Sequence, residues 1–493
     1  MKRICLQMKN ALSFLLAILI MLTSSAVLFC NTASAAEDNF DYITYNKNLY
    51  EDNRELCERI IDGMKNFDEQ IYIGDFKNDG KKLKYIIKTV LRMHPELFYV
   101  DPTRYMVGSD GTYVAVICPI YIDDRQTALT KLNAFNSNVA KYIEKVDPSM
   151  SDFEKAVVLH DELVLNCYYA EEDGADNITA YDSIVNGKAN CLGYSVAYSY
   201  LLSLVGIKSE IVESSAMYHI WNKVCIDGEY YNVDLTWDDP MPDREGHTAH
   251  KYFLLSDNAI SSGNDEISGH YGFDFAHFKS DSTKYDNALF HEFDTELCFA
   301  DGNCYVIDNK YGSEYERCLI KYDTKSDAAE TIRKFDFKWK SGVKSYWKGG
   351  FSSIFEHNGI LYYNDSERIY SYDIDKGTTD IFAEVNTEQG NCYGIRELNN
   401  VLYASVSYSP NNEQTLLEIG LLPDLVANNT VQIIVGDVDG DGKISVIDAT
   451  KIQKYLAGSE SLSELQLTAA DVDGNGKVTV GDVTVLQKKL ASG

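Results

Sequence analysis

The sequence predicts an α+β protein: a mixed helix and strand region, then a β-rich, tyrosine-rich stretch, then a small all-α module at the end. Three observations carry this. Residues 190–206 read as one buried helix and 216–237 as a hairpin, residues 284–430 repeat paired strands, and residues 433–493 carry the same acidic loop twice, each copy followed by a short amphipathic helix.

The chain opens with an export pattern. Lys2, Arg3 and Lys9 stand without an acid, residues 11–29 are apolar, and Ala33, Ser34 and Ala35 form a small-residue cleavage site, so 1–35 is expected to be a signal peptide removed from a secreted protein. An uncleaved anchor is the alternative, while bulky Phe29 argues against a lipid on Cys30. The net charge of −30 becomes more negative once those three cations leave, which excludes nucleic acid and anionic membrane as partners. Nine of the eleven cysteines remain after cleavage, an odd number without regular spacing, so no disulfide framework or zinc site is legible. Residues 36–150 form an N-terminal α+β region, helical over 53–67 and strand-like over 112–122, with no evident chemistry.

Residues 151–283 hold the candidate chemistry. Tyr194, Ala197, Tyr198, Leu201, Leu202 and Val205 recur at helical spacing, Asn190 is an N-cap and Gly206 a stop. Cys191 therefore sits on the first helical turn, where free backbone N–H groups and the helix dipole favour thiolate. Downstream, Asp227 and Gly228 read as a two-residue hairpin turn. That register sets Trp221 opposite Asp234 and His219 opposite Thr236, so Asp234 is the diagonal neighbour of His219 on one face. Tyr218, Ile220, Val224, Ile226, Val233, Leu235 and Trp237 are expected on the opposite, core-facing side. His160 and Asp161, adjacent on a helix, are expected to point apart and serve structure; His247 and His250 are expected on the surface of a polar loop.

The strings C-x-G-Y (191–194), H-x-W-N (219–222) and Y-x-V-D-x-T-W-D-D-P (231–240), with KYFLLSD at 251–257, resemble the transglutaminase-like superfamily, in particular secreted bacterial members similar to kyphoscoliosis-type peptidases. The resemblance covers residues 150 to 258 and implies a papain-like fold. It also implies Cys191 as nucleophile, His219 as general base and acid, and Asp234 as the residue that fixes the imidazole, acting on an amide of a protein or peptide. Hydrolysis by a peptidase or amidase is the preferred outcome, with glutamine transglutaminase chemistry and a non-catalytic docked binding protein as alternatives. Leu192 departs from the acidic or amide residue of many relatives, and no second oxyanion donor is identifiable; Tyr168, Tyr169 and Tyr181 read as packing residues.

Across 284–430 the segments 303–308, 359–365 and 400–406 are each followed by a second strand, at 318–324, 368–374 and 415–421. Tyr305, Tyr362 and Tyr403 mark the repeats at irregular intervals, and three copies are too few for a closed ring, so an incomplete propeller or a twisted meander is expected.

The two C-terminal loops place oxygen ligands in calcium-loop order: Asp437, Asp439, Asp441, the Lys443 carbonyl and Asp448, then Asp471, Asp473, Asn475, the Lys477 carbonyl and Asp482, with Gly442 and Gly476 at the sharp turn. An Asp replaces the final Glu of an EF-hand, and no helix is expected to lead into either loop. Residues 433–493 resemble a type I dockerin, which implies two calcium ions, a cohesin domain of a scaffoldin as partner, and attachment of the secreted protein to a cellulosome or cell surface. The pairs Val446–Ile447 and Val480–Gly481 differ at the positions where partner choice is set, which favours a single docking orientation. That setting suggests polysaccharide breakdown, yet no pair of carboxylates on a recognisable glycosidase scaffold is present.

Overall fold

The computed structural model describes residues 31–32 and 47–492, apart from 78, 171–176, 264–267, 274–278, 310–315, 343, 348–349, 386–387, 389, 413, 424–434, 439–442, 457–461, 463 and 474. The chain divides into two compact units, Met1–Leu422 and Pro423–Gly493. The expected signal peptide falls almost wholly outside the described residues. Among the described residues, no helix is long and apolar enough to cross a membrane.

In the first unit, helix α1 (Arg54–Asn66) forms because Cys57, Ile60, Ile61 and Met64 recur on one face, and all four are buried. Helix α2 (Gly80–Met93) starts at Asp79, whose carboxylate accepts the Lys82 N–H at 3.0 Å, and it buries Leu83, Ile86, Ile87 and Val90. These helices accompany an antiparallel sheet of β1 (Ile71–Lys77), β2 (Val100–Ser109) and β3 (Tyr113–Tyr121), with Asn31–Thr32 on the outer edge of β2. Helix α3 (Arg125–Glu144) is capped by Asp124. Helix α4 (Asp152–Leu165) begins with a capping box in which Ser151 Oγ accepts the Glu154 N–H and Glu154 accepts the Ser151 N–H.

Helix α5 (Cys191–Leu204) is central. Its predicted face is almost fully buried, and the chain leaves it through Gly206 at φ 84°. Beside it lies the antiparallel sheet β4 (Ser209–Ser214), β5 (His219–Ile226) and β6 (Glu229–Val233). Asn222 Nδ2 donates to Ser195 O at 2.9 Å and Ser195 Oγ to Ile220 O at 3.2 Å, which ties β5 to the helix. Asp227 and Gly228 both have positive φ, as a tight hairpin turn requires, and β5 pairs β6 in the predicted register, Asn222 with Val233 through Ile226 with Glu229.

Two residues of the expected core face depart from it. Tyr218 lies before β5 at φ 52° and is 92% exposed, and Trp237 stacks on His219 with ring centroids 5.3 Å apart. The reason is local: β6 ends at Val233 and Asp234 caps a helical turn over Leu235–Asp238, so strand alternation stops there. One hydrophobic cluster runs from Cys57 through the α5 face to Tyr322, so the N-terminal region, the thiol-bearing segment and the first sheet beyond it share a core.

From Cys298 to Leu421 the chain makes three successive antiparallel sheets of four, four and three strands, each strand pairing with the next in sequence. They remain separate sheets. Tyr305, Tyr362, Tyr363, Tyr370 and Tyr393 are buried in the cores between and beside them, so much of the tyrosine content of this region is packing.

The second unit contains helices α6 (Val446–Leu456), α7 (Glu464–Ala470) and α8 (Val480–Ser492) around Val438, Ala449, Ile452, Ala470, Val483 and Leu486. Helix α7 corrects the expectation that neither loop has an entering helix, since it runs directly into the loop that begins at Asp471. At seven residues, it is too short for its apolar spacing to register as a helix in sequence.

Candidate active site and metal loops

Asn190 ends the extended approach to α5, and its Oδ1 accepts the N–H groups of Leu192 at 3.0 Å and Gly193 at 3.4 Å. This fixes half-buried Cys191 as the first helical residue. Position 193 must be glycine: a Cβ there would stand 2.7 Å from Ala189 Cβ and 3.1 Å from Asn177 O, so the helix could not seat this close to residues 177–189.

His219, the first residue of β5, is 7% exposed and lies beside the rings of Trp221 and Trp237. Its Nε2 meets Asp234 Oδ2 at 2.5 Å. The other ring nitrogen is not taken up by Asp234, and Cys191 is near enough to help raise the imidazole's pKa. Burial alone would lower the His219 pKa, but the charge and hydrogen bond of Asp234, helped by Cys191, push it up to about 10. Burial likewise opposes ionisation of Asp234; the facing imidazoles outweigh it and hold the carboxyl well below its ordinary range.

Asp234 is fully engaged. Oδ1 accepts from Thr236 N–H at 3.1 Å and Thr236 Oγ1 at 2.7 Å, while Oδ2 is shared between His219 and His270, the latter at 2.8 Å. His270 was not singled out by sequence reasoning. It is completely buried among Trp221, Trp237 and Tyr252, and its Nδ1 has no hydrogen-bond partner among the described residues. No sequence signal marks it, because it lies 36 residues beyond Asp234 in an irregular stretch.

A second histidine–carboxylate cluster lies in the same unit. His160 Nδ1 bonds Asp161 Oδ1 at 2.8 Å and His160 Nε2 bonds Asp238 Oδ2 at 3.2 Å; His250 Nε2 reaches Asp161 Oδ1 at 2.8 Å. His160 and Asp161 therefore bond each other although adjacent on α4. The surface expectation for the two loop histidines is also corrected: His250 is inaccessible and His247 only 4% exposed. The loop is pinned by main-chain carbonyls, Phe293 O for His250, and Asp294 O and Tyr393 O for His247.

Nearby, Tyr194 Oη lies 2.7 Å from Cys167 O and 2.8 Å from Asp239 Oδ2. Burial pushes Asp239 up to about 8, so near neutral pH it carries a proton to give, and Tyr194 can pass its own to the Cys167 carbonyl. Tyr168 is 45% exposed and Tyr181 packs on Phe98, so both stand as packing or surface residues.

In the second C-terminal loop, the carboxylates of Asp471, Asp473 and Asp482 bring oxygens within 4.8 Å of one another. Gly476 turns at φ 79°, and Asp471 accepts the N–H groups of Asn475 and Gly476. Three converging carboxylates on a turn of this kind fit a hard divalent cation. Asn475 Oδ1 accepts the Lys477 N–H, which holds the turn. In the first loop Asp448 is buried and accepts the N–H groups of Val438 and Ser445, the same way Asp482 accepts those of Asp473 and Thr479. Asp439 and Asp441 lie outside the described residues; Asp437 and Lys443 are described.

With that geometry in hand, residues 138–235 match the model of the transglutaminase-like superfamily and residues 435–491 that of the dockerin type I domain. No curated protein matches the chain. Among solved structures, a crystal structure of a TGase aligns with a TM-score of 0.20 at 12% identity, covering 43% of this chain and 55% of that one. A putative protease from Parabacteroides distasonis aligns with a TM-score of 0.17 at 15% identity, over 26% of this chain and 32% of that one. The chain thus spans little more than half the length of the TGase it aligns with.

Proposed function

We propose that this is an exported thiol enzyme that cleaves amide bonds of proteins or peptides and is held on a cohesin by its C-terminal module. The observation that carries the reading is the joint placement of Cys191 at the start of α5 and the His219–Asp234 pair, 2.5 Å between heavy atoms, on the neighbouring hairpin.

In this reading the Cys191 proton already rests on His219, whose pKa is raised to about 10, and the sulfur attacks the carbonyl carbon of the substrate amide. As the C–N bond breaks, His219 returns the proton to the leaving amine, leaving a thioester on Cys191. Water, activated by the same imidazole, adds to the thioester carbon and releases a carboxylic acid and the thiol. Asp234, fixed by Thr236, keeps the ring aligned through both steps. Acyl transfer to a primary amine would use the same thioester; water at ~55 M is the default acceptor, and hydrolysis is preferred.

Calcium, when bound, would be held by Asp437, Asp439, Asp441, Asp448 and the Lys443 carbonyl, and by Asp471, Asp473, Asn475, Asp482 and the Lys477 carbonyl. It would neutralise carboxylates that otherwise repel and so stabilise the small C-terminal unit. The three separate sheets of 298–421 are read as an incomplete propeller or a strongly twisted meander.

The test is labelling of the full chain with a thiol-directed peptidase inhibitor, with the adduct located by mass spectrometry. Modification confined to Cys191, absent in Cys191→Ala and lost with His219→Ala, is expected. Labelling spread over several cysteines and indifferent to His219 would defeat the reading. A glutamine peptide supplied with and without a primary amine then separates hydrolysis from transfer. Chelation should remove cohesin binding while leaving the Cys191 adduct intact.

A further inference from the structure

A cavity of about 530 Å³ opens between α2 and the start of α5. Its apolar lining includes Leu91, Leu97 and Phe98 from the N-terminal region, and Leu192, Val196 and Ile220 from the thiol-bearing segment. Leu192 and Ile220 directly follow Cys191 and His219 in the chain, so the cavity lies one residue from each, with Ile220 on the strand face opposite His219.

The opposite wall is basic. Lys81, Lys84, Lys88 and Arg92 fall at i, i+3, i+7 and i+11 of α2, one stripe of the helix, and all four line the cavity. Among its described lining residues Glu213 is the single carboxylate, and it bonds Lys88 at 2.6 Å and Arg92 at 3.1 Å. Lys81 and Lys84, farther along the stripe, are exposed. Four cations against one acid is a local reversal in a chain of net charge −30. An apolar cleft with such a rim selects a ligand that is apolar at its centre and anionic beside it.

We infer that this cavity is a subsite for a bulky apolar side chain of a peptide substrate whose neighbouring residues are acidic. The inference rests on the thiol reading above for its link to catalysis. A peptide is favoured as the occupant because an apolar centre flanked by carboxylates suits the lining and its lysine rim, and the cavity lies one residue along the chain from both Cys191 and His219. The apolar side chain fills the lining, and carboxylates on either side meet Lys81 and Lys84. A basic substrate is turned away by the same lysines.

The experiment uses the full chain carrying Cys191→Ala, so that binding is read without turnover. Three fluorescein-labelled peptides of equal length are compared by anisotropy: a Leu-Phe pair flanked by aspartates, the same pair flanked by lysines, and a Ser-Ser pair flanked by aspartates. The first is expected to bind at least tenfold tighter than either of the others. Adding Lys81→Glu and Lys84→Glu, two exposed residues outside the catalytic groups, should abolish the preference for aspartate and keep the preference for Leu-Phe. Equal affinities, a preference unchanged by the double substitution, or tighter binding of dodecanoate than of any peptide overturns the subsite. Turnover by the unsubstituted chain is read separately. Preferential binding with no turnover removes the thiol reading and leaves the subsite standing; turnover with no binding preference does the reverse.

Discussion

Two aspartates in this protein are each clasped by two imidazoles. Asp234 Oδ2 meets His219 and His270, and Asp161 Oδ1 meets His160 and His250. The chemistry of the groups is the same. The surroundings differ: His219 keeps a small exposed fraction and has Cys191 as a neighbour, whereas His160 and His250 have none of their surface exposed. The second cluster adds another buried carboxylate, Asp238, and the Leu297 N–H, which bonds Asp161 Oδ2. A histidine–carboxylate pair thus becomes a candidate catalyst only with a nucleophile and an opening; sealed, it is a polar clamp joining α4 to the chain around Asp238, His250 and Leu297.

Neutralising the two aspartates should separate these roles most strongly. Asp234→Asn is expected to lower kcat by about 10²–10⁴-fold, since the amide no longer holds the imidazole in one tautomer or stabilises its charged form. Asp161→Asn is expected to leave kcat of the folded protein within about threefold and to lower unfolding free energy by about 3–5 kcal/mol, by breaking a buried charge pair. Rates with a peptide substrate and urea unfolding curves on both variants check this. Equal loss of kcat in the two would dissolve the distinction between catalyst and clamp.

The sealed cluster should also announce itself through pH. Burial would lower the His160 pKa, but the hydrogen bonds it donates to Asp161 and Asp238 push it up to about 9, against about 6.5 in the unfolded chain. A raised imidazole contributes stability that is fully present below pH ~6.5 and is lost as pH rises to about 9. Asp161 works in the opposite sense: held down at about 2, chiefly by His250 and His160 against burial, it contributes stability above its unfolded pKa near 3.9 that is lost as pH falls towards 2. The stability difference between the natural chain and His160→Gln should therefore be flat from pH 5 to 6.5 and shrink by on the order of 3 kcal/mol by pH 9. A difference that stays constant across that range would show that His160 is not charged in the clamp.

The contrast between the two clusters follows what could be read in the sequence. His219 and Asp234 could be brought together on paper because Asp227-Gly228 fixes a two-residue turn, and a turn of known length fixes every cross-strand pair. Cys191 was equally legible, since Asn190 and the period of the α5 face locate its helical turn. The second cluster was not, because its members meet through packing of α4 against a loop, and no local period encodes that. Loop polarity predicts exposure for His247 and His250, yet their partners are carbonyls more than forty residues away in sequence. The same holds for the cavity beside α2: the spacing of Lys81, Lys84, Lys88 and Arg92 is visible in the chain, but only the fold sets Leu192 and Ile220 across from it.

His270 offers the finest division between the two clusters, because it belongs to the open one without facing the thiol. It donates from Nε2 to the same Asp234 oxygen that receives His219, so it competes for that oxygen's charge and also restrains its position. Removing the donor with His270→Phe should free Asp234 to bind protonated His219 more strongly and let the carboxylate rotate. The expected result is a fall in kcat of about tenfold, roughly 1.4 kcal/mol, with little change in KM and with the pH limb assigned to His219 displaced upward. His270→Gln keeps an N–H donor of similar reach and should recover most of both. If the two variants lose activity equally and the pH profile does not move, His270 is packing for Trp221 and Trp237, and Asp234 needs no second imidazole.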